Sequence, residues 1–178
     1  MHPIAHAQAR PDHPAIIMAA SGETVSYRQL DETANRFAHL LRSRGIGAGG
    51  HFGLLMENNA LNLQLVWGSQ RSGAMMVPIS TRLTAPEIAY ILRDCDAKLL
   101  VTSTYFADRI EALRALCPEC EFLVLDGEGE EDLAKALADQ PDAPLSDPVP
   151  GQYMLYSSGT TGRPKGVRPR APDSDDIQ

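Results

Sequence analysis

Tyr156-Ser157-Ser158-Gly159-Thr160-Thr161-Gly162-Arg163-Pro164-Lys165-Gly166-Val167 packs glycines, hydroxyls and one lysine amine into a single bend. Gly159 and Gly162 let the backbone turn sharply and come close to an anion. Successive backbone N–H groups in such a bend form an anion-binding concavity. Ser157, Ser158, Thr160 and Thr161 add hydroxyl donors, and Lys165 adds a mobile positive charge. The stretch reads as a loop that wraps a polyphosphate. Its binding residues are Ser157, Ser158, Gly159, Thr160, Thr161, Gly162 and Lys165. The competing reading is a Gly/Ser/Thr-rich surface loop.

The loop is not of the Walker type, G-x-x-x-x-G-K-[ST]. Arg163 and Pro164 follow Gly162, and Gly166 rather than a hydroxyl residue follows Lys165. A Walker loop also opens a helix, which Gly166-Val167-Arg168-Pro169 starts poorly. Gln152-Tyr153-Met154-Leu155-Tyr156 before the bend has strand character. The expected arrangement is therefore strand, phosphate loop, strand.

Upstream, helical and strand signals alternate. Ser26 and Gln29 form a capping box, and apolar residues recur at helical spacing from Tyr27 to Leu41 until Gly45 stops them. A short apolar strand is expected over 51–56. Asn58 or Asn59 caps a helix that runs to about Ser72. A strand follows over 75–79, and Thr84 with Glu87 opens a helix to about Asp94. Strands are expected over 98–102 and 122–125. Ser103 is expected to cap the helix carrying Phe106, Ile110, Leu113 and Cys117, and a further helix covers 130–139. Residues 140–150 hold Pro141, Pro144, Pro148 and Pro150 and read as a connector into the phosphate-loop strand. Such alternation argues for α/β layers around a mainly parallel sheet with right-handed crossovers.

Composition removes several function classes. The net charge of −7 argues against general nucleic-acid binding. No apolar run is long enough to span a bilayer, and the N-terminus lacks a basic region followed by an apolar core, so a cytoplasmic location is expected. Cys117 and Cys120 form a C-x-x-C without suitably spaced further ligands, and Cys117 ends a helical stretch instead of opening one; zinc and redox roles are disfavoured. Gly45-Ile46-Gly47-Ala48-Gly49-Gly50 satisfies G-x-G-x-x-G, but it follows a helix and precedes a strand, the reverse of a dinucleotide fingerprint. His2, His6, His13, His39 and His51 show no catalytic or ligand spacing. Arg163 is read as aiding phosphate attraction, and Arg168 and Arg170 stay open between that role and a solvated tail.

The bend resembles the signature loop of the adenylate-forming (AMP-binding) superfamily. That family includes acyl-CoA synthetases, luciferases and the adenylation domains of peptide synthetases. Val25-Ser26-Tyr27-Arg28-Gln29-Leu30 resembles the family's early L-[ST]-Y-x-E-L element, with Gln29 for Glu. Ser72-Gly73-Ala74-Met75-Met76-Val77-Pro78 resembles its G-A-x-x-x-P element, and Arg82-Leu83 sits where an R-L pair is frequent. The resemblance covers residues 10 to 167. It implies the layered parallel-sheet N-terminal part of an adenylate-forming enzyme's large domain, incomplete over 1–167, with a disordered tail at 168–178.

The resemblance also implies a reaction. A carboxylate attacks the α-phosphate of ATP, with magnesium on the phosphates, and a thiol such as coenzyme A then displaces AMP. Lys165 takes the catalytic role of stabilising the departing pyrophosphate. The wording Ser-Ser-Gly-Thr-Thr-Gly is closer to acyl-CoA synthetases than to peptide-synthetase domains, and a fatty acid is the analogy-based substrate. The histidine that many members carry after K-G-V is absent here, where Arg168-Pro169-Arg170 follows, so the acyl site departs from the family pattern. Family members are several times longer. The chain is expected to be an N-terminal fragment, inactive without the remainder of the same enzyme. The competing reading is a stand-alone, non-catalytic domain that binds nucleotide, pyrophosphate or a partner.

Overall fold

The computed structural model describes residues 3–157 and 163–169. Helix α1 (Pro3–Ala9) leads into an antiparallel pair, β1 (Pro14–Ile17) and β2 (Thr24–Ser26). This pair was not among the sequence expectations; its strands are too short to show alternation. Then follow α2 (Tyr27–Ser43), β3 (His51–Leu54), α3 (Ala60–Ser72), β4 (Met75–Pro78), α4 (Ala85–Asp94), β5 (Leu99–Ser103), α5 (Ala107–Leu116), β6 (Glu121–Leu125), α6 (Leu133–Ala138), β7 (Gln152–Tyr153), β8 (Leu155–Ser157) and β9 (Lys165–Val167).

Strands β3 to β7 form a parallel sheet in the order β6-β5-β3-β4-β7. It is buried on both sides, as parallel sheets require. Phe52, Leu99, Val101 and Leu123 pack on one face with α2, α3 and α6. Val77, Leu100, Phe122 and Val124 pack on the other with α4 and α5. The predicted α/β layering is what the chain adopts.

The capping signals are realised in atoms. Ser26 Oγ accepts the Gln29 N–H (3.2 Å) and Gln29 Oε1 accepts the Ser26 N–H (2.8 Å). Asn59 caps α3 by accepting the Asn62 N–H at 2.9 Å. The Glu87 carboxylate takes the Thr84 N–H at 2.8 Å. Gly45, at φ 70, ends the turn after α2, and the G-x-G-x-x-G run lies between a helix end and a strand start.

Three expectations need correction. Ser103 does not cap through its side chain. It stands before a 3₁₀ turn (Thr104–Phe106), and its buried hydroxyl donates to the Glu57 carboxylate instead. The helix expected over 130–139 starts later, because Asp132 caps at the Ala134 N–H (2.8 Å) after a separate 3₁₀ turn. The strand expected over 152–156 is two strands. Gln152 and Tyr153 join the parallel sheet, whereas Leu155 to Ser157 leave it to pair with β9.

The connector over 140–150 is tied to α2 by side chains at helical spacing. Asn35 donates to the Asp142 carbonyl (2.8 Å) and Arg36 to the Gln140 carbonyl (2.7 Å). His39 Nε2 donates to the Ala143 carbonyl (3.0 Å) and Arg42 to the Asp147 carbonyl (3.0 Å). Gly151 then passes so close to the Ser69 carbonyl that no side chain fits. This routing delivers β7 to the free edge of β4.

At the far end of β9, an Arg168 guanidinium N–H lies 2.6 Å from His51 Nε2, at the start of β3. Accepting that proton requires an unprotonated Nε2. Burial lowers the His51 pKa first and the Arg168 charge adds to this, while Asp96 opposes both. The folded value lies below the unfolded one, so the neutral-His contribution is complete above about pH 6.5 and is lost as pH falls below it. The thermal midpoint should therefore fall as pH drops from 7 to 5, and His51→Gln should remove that portion of the slope. Calorimetry at several pH values checks this; identical pH slopes for both proteins would contradict it.

A second prediction concerns helix packing. A Cβ at Gly68 in α3 would lie 2.7 Å from the Ala34 carbonyl oxygen and 2.8 Å from Phe37 Cβ of α2. At an open helical position Gly→Ala stabilises by up to about 1 kcal/mol. Here the obstacle is backbone, which cannot swing aside. Gly68→Ala should instead lose about 1–3 kcal/mol in urea unfolding.

Candidate phosphate-loop site

The two strands expected on either side of the loop are present and pair with each other. Strands β8 and β9 are antiparallel in the register Leu155↔Val167, Tyr156↔Gly166, Ser157↔Lys165. Residues directly opposite each other share a face, with Cβ atoms about 4.5–5.5 Å apart. Ser157 and Lys165 therefore leave the hairpin on the same side at the mouth of the loop, and both are exposed. No carboxylate pairs with Lys165 among the described residues. An ammonium and a hydroxyl side by side, with no internal partner for the charge, can bind an external anion. The expected ligands Ser158, Gly159, Thr160, Thr161 and Gly162 lie outside the described residues.

The opposite face of the hairpin is turned inward. The Tyr156 ring covers Gly166, where a Cβ would lie 3.2 Å from the ring and collide with the Met154 methyl. The Tyr156 hydroxyl donates to Asp94 Oδ2 at 2.6 Å. Burial raises the Tyr156 pKa, and the bond to Asp94 raises it further, so the phenol stays protonated and remains a donor.

The second arm meets the same helix. The Tyr90 hydroxyl lies 3.2 Å from the Pro164 carbonyl, and the Arg163 guanidinium carbon stands 5.7 Å from the Tyr90 ring centroid. That is a cation–π distance. Arg163 was expected to attract phosphate, but in this structure it stacks on α4. Arg168, left open by sequence, is committed to His51. Of the basic residues described here, Lys165 is thus the one placed beside a loop hydroxyl. Tyr90 and Asp94 were not identified from sequence. Tyr90 follows the pattern of a core stripe, and only the three-dimensional return of the hairpin gives its hydroxyl a partner.

Other candidate centres are unsupported among the described residues. Cys95, Cys117 and Cys120 are buried free thiols. Burial pushes Cys95 up to about 11 and Cys120 up to about 12, which keeps them protonated and unreactive. No group of three or more His, Cys, Asp or Glu side chains is arranged to hold a metal ion among the described residues. No helix in that set is long and apolar enough to cross a membrane.

Comparison with known proteins identifies the family. Residues 4–168 match the AMP-binding enzyme family. The chain is 34% identical over 170 residues to the fatty acid–[acyl-carrier-protein] ligase ScoC of Streptomyces coeruleorubidus, spanning 91% of this chain and 31% of that protein. It is 36% identical over 157 residues to the long-chain-fatty-acid–CoA ligase FadD13 of Mycobacterium tuberculosis, spanning 86% of this chain and 31% of that one. The crystal structure of the anthranilate CoA ligase AuaEII with anthranoyl-AMP superposes with a TM-score of 0.81 at 29% identity, covering 93% of this chain and 32% of the other. The chain thus spans about a third of the length of these relatives. Sequence motifs, the order of the parallel strands and these matches agree: the chain belongs to the AMP-binding, adenylate-forming enzyme family.

Proposed function

We propose that this chain supplies the phosphate loop of an ATP-dependent acid–thiol ligase of the acyl-CoA synthetase type. The observation that carries the reading is the register Ser157↔Lys165, which sets a hydroxyl and an ammonium with no ion-pair partner among the described residues on one exposed face at the loop mouth. In the first half-reaction a carboxylate oxygen bonds to the α-phosphorus of ATP. The bond from that phosphorus to the bridging oxygen breaks, and pyrophosphate leaves with the electron pair. In the second, a thiol sulfur attacks the acyl carbon and AMP departs. Charge grows on the pyrophosphate as it leaves, and the Lys165 ammonium, with Ser157 and the loop donors Ser158 to Gly162, stabilises it.

The thiol is taken as coenzyme A and the acid as a fatty acid, in line with the names of relatives such as FadD13. Magnesium accompanies ATP in such chemistry; held mainly by phosphate oxygens and water, it needs no group of three or more protein ligands, and none is arranged among the described residues. The relatives are about three times longer, and we infer that turnover needs sequence beyond these 178 residues. A cytoplasmic setting fits these cytosolic substrates.

Lys165→Ala in the enzyme carrying this chain should slow acyl-adenylate formation by about 10²-fold or more. Thioester formation from supplied acyl-adenylate should change far less. Carboxylate-dependent ATP–pyrophosphate exchange and single-turnover thioester assays separate the two. An equal loss in both half-reactions would remove the leaving-group role. The 178-residue chain alone should show no exchange.

A further inference from the structure

Helix α4 touches both arms of the hairpin, one turn apart. Asp94 accepts the hydroxyl proton of Tyr156, the residue before Ser157. Tyr90, four residues earlier, reaches the carbonyl of Pro164, the residue before Lys165. Its ring also carries the Arg163 guanidinium. The two posts are themselves neighbours, with the Tyr90 hydroxyl 3.5 Å from Asp94 Oδ1. Each arm is thus held at the residue immediately next to a phosphate-facing side chain. Helix α4 is in turn fixed to the core through Ile88, Ile91 and Leu92. The hairpin has only a three-residue ladder to hold its own shape, and two-stranded ribbons are marginal alone.

We propose that Tyr90 and Asp94 are positioning residues for the nucleotide phosphates: they clamp the arms of the hairpin to α4 and so fix where Ser157 and Lys165 present their polar groups. This rests on the phosphate-loop reading above. Neither residue touches the phosphates. Their effect passes through the backbone at Pro164 and through the Tyr156 ring. The phenol of Tyr156 is a donor throughout the working pH range because burial raises its pKa, so this tie does not loosen under mildly alkaline conditions.

The test measures Mg·ATP affinity by calorimetry, and KM for ATP against kcat in ATP–pyrophosphate exchange, in the enzyme carrying this chain. Tyr90→Phe keeps the ring under Arg163 and removes the bond to Pro164. Tyr156→Phe keeps the packing on Gly166 and removes the bond to Asp94. Each should weaken Mg·ATP binding roughly 2- to 10-fold, the range for one lost hydrogen bond, and the pair should weaken it more than either alone. KM for the carboxylate should hold. Asp94→Asn, which keeps an acceptor for Tyr156, should stay near wild type, whereas Asp94→Ala should match Tyr156→Phe. Unchanged ATP affinity in the double Phe variant overturns the proposal, as does an equal loss in both KM values with a parallel fall in melting temperature. Lys165→Ala is run alongside. If it loses ATP affinity and the tyrosine variants do not, only the positioning role fails. If Lys165→Ala leaves both ATP affinity and pyrophosphate exchange unchanged, the phosphate-loop reading fails and this proposal with it.

Discussion

The docking of β7 on the edge of β4 is the constraint on which the candidate site depends. Two residues, Gln152 and Tyr153, make that pairing, too few to hold a strand by ladder bonds alone. The connector must arrive already placed. Asn35, Arg36, His39 and Arg42 place it by taking main-chain carbonyls, so the contact reads the path of the backbone more than the identity of its side chains. Bonds from charged donors are stronger than neutral ones, about 1.5–3 kcal/mol each. The proline-rich composition helps from the other side, since a chain with fixed φ angles has less freedom to lose on docking. Gly151 completes the fit, because any side chain there would meet the Ser69 carbonyl.

The same helix α2 is locked to α3 by a buried polar group. Arg71 pairs with Asp31 at 2.7 Å and also bonds Asn35, which in turn reaches the connector. A buried pair of this kind contributes little net stability over an apolar substitute, but losing one partner leaves an uncompensated charge. Its value here is geometric. It fixes the rotation of α2 relative to α3 while Asn35 faces the connector, and Gly68 sets how closely the two helices approach.

Much of this was legible in sequence because it is local. Ser26 with Gln29, Asn59, and Thr84 with Glu87 each act within one helical turn, so their spacing states the structure directly. Apolar runs at 51–56 and 98–102 marked two strands buried on both faces. Apart from the helix over 130–139, whose start Asp132 sets locally, the misreadings came from partners distant in the chain. Ser103 has the composition of a cap, yet Glu57, just beyond the end of the neighbouring strand β3, accepts its hydroxyl proton. Tyr90 and Asp94 sit 74 and 62 residues from the hairpin atoms they hold, and no periodicity encodes that return. In the site itself, residue types pointed to Ser157 and Lys165, but their sharing of a face follows only from the β8–β9 register.

The arms of the hairpin are held by uncharged contacts and by charges already engaged elsewhere. Tyr156 and Tyr90 use hydroxyls, Arg163 uses a ring, and Arg168 uses a neutral imidazole. None of these ties competes with a polyphosphate for Lys165. Had a carboxylate held Lys165 in place, an arriving anion would have had to break that ion pair first. In a chain of net charge −7, the lack of an ion-pair partner for this ammonium among the described residues is also what makes the hairpin attractive to an anion at short range. Exposed charges are screened beyond about 8–10 Å at physiological ionic strength, so the acidic remainder of the surface has little influence there. On the proposed function, a backbone held in place before the nucleotide binds needs little reorganisation when charge develops on the leaving group. The division of roles follows from this: α4 holds the backbone beside Ser157 and Lys165, and the ammonium stays available to an anion.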